Sequence, residues 1–189
     1  MVKLVTFLGN PGAQHEATRH NIAWMIAREN PLTKGLNWQK KFKGVYAQTT
    51  INTEKTFFLK PETYLNKSGE SVQALMQFYK INPQEILVVH DDLELDFGQI
   101  GFKTGGGLAG HNGLRSIAAA LGTSDFHRFR LGISRPSHGD VTSYVLSKFS
   151  SEERDLLPFY LERAGEVLEY CLQEGIEAAE RNYRKKVVI

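Results

Sequence analysis

The run Glu85–His90 (Glu-Ile-Leu-Val-Val-His) constrains the fold more than any other stretch of this chain. Ile86, Leu87, Val88 and Val89 are four consecutive branched aliphatic residues, short enough for a strand and apolar at every position. A strand without alternating polar residues must be covered on both faces, which places it in the middle of a sheet between helical layers. Val2–Leu8 reads as a second buried strand, and it breaks at Gly9-Asn10-Pro11-Gly12, residue types suited to a sharp turn. Asn21–Asn30 has helical periodicity, with Ile22, Met25 and Ile26 on one face and Pro31 just past its end. Pro31–Gly44, polar and rich in lysine, reads as a loop. Val45–Thr50 and Lys55–Leu59 read as paired strands around Asn52-Thr53.

Lys60–Asn66 reads as a loop, because Pro61 disfavours helix before it. Ser68 is then expected to cap a helix running to Lys80, with Val72, Leu75, Met76 and Tyr79 inward. Gly98–Thr104 is a predicted strand, Asn112–Leu121 a helix and Phe129–Ile133 a strand. Ser150 and Glu153 form a capping-box pattern before a long amphipathic helix carrying Leu157, Leu161, Ala164, Leu168, Cys171 and Leu172. Pro158 within it is read as a kink or a later start. Strands interleaved with helices give an α/β fold: a single three-layer domain over residues 1–189, with a mixed, mostly parallel central sheet flanked by helices.

Hydrophobic residues make up 41% and charged residues 23% of the 189 residues, ordinary values for a globular chain. The formal charge of +2 identifies no partner, but its distribution is uneven. Between Gly101 and Arg135 stand five basic residues (Lys103, Arg115, Arg128, Arg130, Arg135) and one acid, Asp125, preceded by Asp91, Asp92, Glu94 and Asp96. A basic zone beside an acidic loop suits a polyanion, and equally an ordinary solvated surface. The single cysteine, Cys171, excludes an internal disulfide and reads as a buried thiol. The apolar start is too short for a signal peptide or a membrane span, so a cytoplasmic location is the expectation.

Polar side chains fall at strand ends and helix starts: Asn10, His20, Asn66, Asp91, Lys103 and Asn112. If they converge, a histidine, a carboxylate and three amides share one site. A carboxylate-paired histidine can act as general base on water, and amides can stabilise an oxyanion or align a peptide. That inventory suffices for an activated ester. His20 taken alone is equally readable as a structural or capping residue. His15 with His20, or His90 with Asp91 and Asp92, match no zinc spacing. Ser68 lacks the G-x-S-x-G elbow, Gly105-Gly106-Gly107 is followed by no Gly-Lys-Ser/Thr, and Gly9–Gly12 is no dinucleotide fingerprint. The triple glycine is a surface turn or a close approach to a ligand.

Taken together the motifs resemble the bacterial-type peptidyl-tRNA hydrolase family. They are Gly9–Gly12 with Thr18–Asn21, Lys60–Gly69, His90–Leu93, Lys103–Gly107, Gly110–Ile117, Phe126–Ile133 and Tyr144–Leu146, in the family's order over roughly residues 4–150. The resemblance implies a monomeric, cofactor-free and metal-independent esterase that cuts the ester joining a peptide to the terminal ribose of tRNA. Its partner is peptidyl-tRNA, held by the 3′ acceptor end and phosphates, with no membrane involved. By the same resemblance His20 matches the catalytic base, Asp91 its supporting carboxylate and Asn10 the residue that distinguishes a blocked amino group. Asn66 and Asn112 match substrate-binding amides, Tyr64 a contact to the same end, and Lys103 and Arg130 basic residues near the phosphates.

Several positions depart from the family pattern. His15 stands where Tyr is usual, keeping a ring that could stack on a base, and Leu65 stands where Met is common. Ala23 and Ala109 replace glycines, which predicts negative φ at both. Gly101 replaces a frequent basic residue, which predicts a weaker phosphate contact. Two other readings follow from the same residues: an RNA-binding relative without catalysis, and a small-molecule amidase indifferent to Lys103 and Arg130.

Overall fold

The computed structural model describes residues 1–189. Eight strands form one sheet: β1 (Leu4–Phe7), β2 (Gln39–Lys41), β3 (Gly44–Ile51), β4 (Glu54–Pro61), β5 (Ile86–Asp92), β6 (Gln99–Thr104), β7 (His127–Gly132) and β8 (Lys186–Val187). Their spatial order is β2-β3-β4-β1-β5-β7-β6-β8. The β4-β1-β5-β7 centre is parallel and both margins are antiparallel, so that only β3 and β6 oppose the direction of the rest. The sheet is therefore mixed and mostly parallel, and β5 is buried at every position in its middle, as its uninterrupted apolar run requires.

The helices are α1 (Ile22–Glu29), α2 (Pro31–Lys34), α3 (Ser68–Tyr79), α4 (Asn112–Leu121), α5 (Val141–Val145), α6 (Ser151–Glu174) and α7 (Ile176–Tyr183). Alternation along the strands divides the core in two. Val5, Phe7, Leu87 and Val89 pack with α1 and α6; Leu4, Leu8, Ile86 and Val88 pack with α3 and α4. These two layers and the sheet make the three-layer architecture.

Several local expectations change. Asn30 accepts from Leu32 N–H (2.9 Å) and Pro31 occupies the first turn of α2. The proline that looked like a terminator thus also opens a helix, because a first-turn residue needs no N–H partner. The lysine-rich segment after it contributes the edge strand β2, every residue of which is exposed. Ser68 is the first residue of α3 rather than its cap; it is buried and its hydroxyl donates to Leu65 O (2.7 Å). The capping box at Ser150 and Glu153 forms as read, and α6 starts at Ser151 and continues through Pro158. Asp91 and Asp92 are buried strand residues, not an acidic loop.

Ala109 has φ +50°, against the expected negative value, and Gly110 after it continues the left-handed path at φ +75°. Gly101 also finds a local reason: a Cβ there would lie 2.6 Å from Arg184 O, so the C-terminal segment occupies the space a basic side chain would need. Cys171 is buried, and burial, with Glu180 adding, pushes its thiol up to about 12.

Candidate active site

The parallel strands β1 and β5 are neighbours, but the chain leaves β1 to build one side of the sheet and returns at β5 to build the other. Such a reversal opens a crevice at the carboxyl ends of the strands, where α/β folds take ligands. A cavity of about 700 Å³ lies there. Asn10 follows β1, Asp91 is the penultimate residue of β5, Asn66 follows β4 and Asn112 begins α4, and all four line the cavity together with His20.

Reciprocal amide bonds hold the turn after β1. Asn10 N–H donates to Asn21 Oδ1, and Asn21 Nδ2 donates to Asn10 O, both at 2.9 Å. Asn21 is wholly buried and immediately follows His20, so this staple sets the 3₁₀ turn Arg19–Asn21 against the first turn of the chain. Arg19 holds the other side: its guanidinium pairs with Glu153 at 2.7 Å and lies 4.4 Å from the Tyr144 ring. Neither Asn21 nor Arg19 stood out in the sequence beyond its motif, because their partners lie 11 and 134 residues away.

His20 Nδ1 lies 2.8 Å from Asp91 Oδ2. His111 Nε2 lies 2.9 Å from Asp91 Oδ1, so one buried carboxylate serves two imidazoles. An ionised carboxylate only accepts, so both facing nitrogens carry their protons. His111 Nδ1 is then free to accept from Leu114 N–H (3.4 Å), which caps α4. His20 Nε2 makes no hydrogen bond within the chain, and its lone pair is available at the cavity.

Burial disfavours the charged form of His20, but the charge and hydrogen bond of Asp91 outweigh it and raise its pKa above the ordinary value. For Asp91, burial alone would raise the carboxyl; the charges of His20 and His111 and their hydrogen bonds hold it well below the usual range. His90, against the His111 ring at 5.0 Å, is pushed down to about 3 by burial and then by His111, with Asp92 and Asp91 opposing. It stays neutral and donates from Nδ1 to Asp91 O (2.7 Å). Donor atoms of His20, Asp91 and His111 lie within 4.8 Å of one another, a spacing that could hold an ion. A metal there would displace two N–H···O contacts that already satisfy the carboxylate.

Asn10 Oδ1 accepts from Leu65 N–H (2.9 Å), which leaves the NH2 as the half of this amide free for a ligand. Asn66, Asn112 and Tyr64 are exposed on the rim, and His15 is half-buried there. Leu108, Val141, Val145 and Leu146 add an apolar wall that sequence reading had not assembled. The basic residues disperse. Arg128 is buried, and Arg135 pairs with Glu94 on the rim. Arg130 donates from Nε to Asp92 (2.7 Å) outside the cavity lining, and Lys103 is exposed at the end of β6. Of the expected contact residues these two are the ones not brought to the cavity.

A family model described as "Peptidyl-tRNA hydrolase" matches residues 4–188. A protein of that name from Geotalea uraniireducens is 42% identical over 189 residues, covering 100% of this chain and 99% of its own length. Another from Sorangium cellulosum is 44% identical over 195 aligned positions, covering 97% and 85%. Among solved structures, peptidyl-tRNA hydrolase from Acinetobacter baumannii is similar with a TM-score of 0.87 at 34% identity, covering 97% of this chain and 94% of that one.

Proposed function

The chain belongs to the peptidyl-tRNA hydrolase family, and we propose that it hydrolyses the ester between a peptide and the 3′-terminal ribose of tRNA. The observation that carries this reading is the His20–Asp91 pair, with Nε2 unbonded at a cavity lined by three asparagines. His20 Nε2 takes a proton from water as the water oxygen bonds to the ester carbonyl carbon. The oxyanion collapses, the bond to the ribose oxygen breaks, and that oxygen recovers the proton from the imidazolium. Asp91 holds the tautomer and stabilises the charged ring between the two transfers. Asn112 directs the water or the oxyanion, and Asn10 and Asn66 grip the peptide's amides.

Blocked and free amino groups differ at these amides. A peptide satisfies the NH2 of Asn10, whereas a free aminoacyl ester leaves it unpaired and brings an ammonium to the same place. His15 and Tyr64 lie on the rim, where the acceptor end enters. Lys103 and the Nη groups of Arg130 meet phosphates farther out. This is a metal-independent reaction carried out by a monomer. The test is release of tRNA from N-acetyl-aminoacyl-tRNA and from its unacetylated counterpart, in excess chelator, with wild type and His20→Ala. Cleavage of the acetylated substrate alone, lowered about 10²- to 10⁴-fold in the variant, is expected. Full activity in the variant removes the proposed base, and loss of wild-type activity in chelator removes metal independence.

A further inference from the structure

Arg128 is a cation buried in the sheet, 2% exposed, with no carboxylate in ion-pair contact. It lies on β7 between Val88 of β5 and Lys103 of β6. Its guanidinium donates from Nη1 to Gly107 O (3.0 Å) and from Nη2 to Gly105 O, while its Nε is buried without a partner. An unpaired buried charge is unfavourable for folding, and an apolar side chain of the same length would fill the space without that penalty. Stability alone therefore does not account for an arginine here.

The loop it grips does. Gly105, Gly106, Ala109 and Gly110 have φ of +62°, +76°, +50° and +75°, so four of six consecutive residues are left-handed. Backbone preference does not select one such path, and alanine at position 109 opposes it. A planar fork gripping two carbonyls two residues apart does select one. The fixed segment leads directly into the cavity: Leu108, Ala109 and Gly110 line it, and Arg128 itself reaches its wall. His111 N–H then donates to Leu108 O (3.0 Å) before His111 bonds Asp91 and Asn112 starts α4.

We propose that Arg128 is a positioning residue for the reaction, a clamp that fixes the 105–110 loop as the substrate-facing wall and sets where Asn112 enters the site. The assignment of Asn112 to substrate rests on the functional reading above; the clamp itself does not. The experiment pairs Arg128→Lys, which keeps the charge but not the fork, with Arg128→Met, which keeps the length. Amide hydrogen exchange of the free proteins and steady-state kinetics on N-acetyl-aminoacyl-tRNA are measured for both.

In both variants exchange is expected to accelerate at Gly105–Asn112 and not in β1, β5 or α6. KM is expected to rise about 10- to 10²-fold, with a smaller change in kcat, because His20 and Asp91 themselves sit on other elements. Acceleration spread over the whole chain would make Arg128 a residue of the fold and overturn the clamp. So would an unchanged KM in a folded Arg128→Met, or full retention of both readouts in Arg128→Lys. If wild type fails to turn over the substrate, the functional reading fails, while exchange in the loop still decides the clamp.

Discussion

At Asp91 one carboxylate takes two imidazole donors and keeps its charge in the interior because both of its oxygens are occupied. That arrangement sets the pH response of His20. Its raised pKa means that the neutral, proton-accepting ring becomes available only above the ordinary histidine value of 6.5, so kcat/KM should climb through a limb displaced to higher pH. Asp91→Asn removes the group that raises the pKa and leaves burial, which lowers it. Its limb should move to lower pH while the plateau falls, and a pH–rate profile of the two proteins reads both effects; a limb that stays in place would separate Asp91 from His20. His20 and Asp91 were legible as polar groups at the ends of apolar runs. Asn21, His111 and Arg128 lie inside the motifs, but what each does follows from partners remote in sequence, which no local pattern names.

Among the elements, α3 and α4 cross at Gly69. A Cβ on Gly69 would overlap Ser116 O and lie 2.8 Å from Ala120 Cβ, while Gly69 N–H donates to Ser116 Oγ (2.9 Å). The close approach brings Asn112, at the start of α4, toward Asn66, just before α3. Gly69→Ala should therefore force the helices apart, destabilise the protein by about 1–3 kcal/mol and reduce activity at temperatures where it remains folded. Denaturant unfolding together with a rate measurement tests this. An unchanged midpoint would mean that α4 yields without cost. Long periodic elements were legible here, α4 to the residue and α6 within its capping box. Short ones were not: α2, α5, α7, β2 and β8 depend on packing more than on their own pattern.

For the molecule as a whole, dispersal of the basic zone changes what tRNA binding should look like. Arg130 and Arg135 are paired with acids and Arg128 is buried, which leaves Lys103 and Arg115 as the exposed cations of that stretch without an ion pair. Affinity for tRNA should fall as salt rises, with a slope reflecting few phosphate contacts, and Lys103→Ala should reduce the slope by about 1. A filter-binding series in salt measures it, and indifference to salt would remove the phosphate-contact model. The sequence by itself determined the α/β class, the central strand, the helices with sustained periodicity and the polar groups at strand ends, because local pattern and burial dictate these. Only the tertiary structure decided which charges are free, which histidine shares Asp91 and why Gly101 is tolerated. It also revealed the left-handed path of Ala109. Those outcomes arise from contacts between segments far apart in the chain, and no local pattern encodes them.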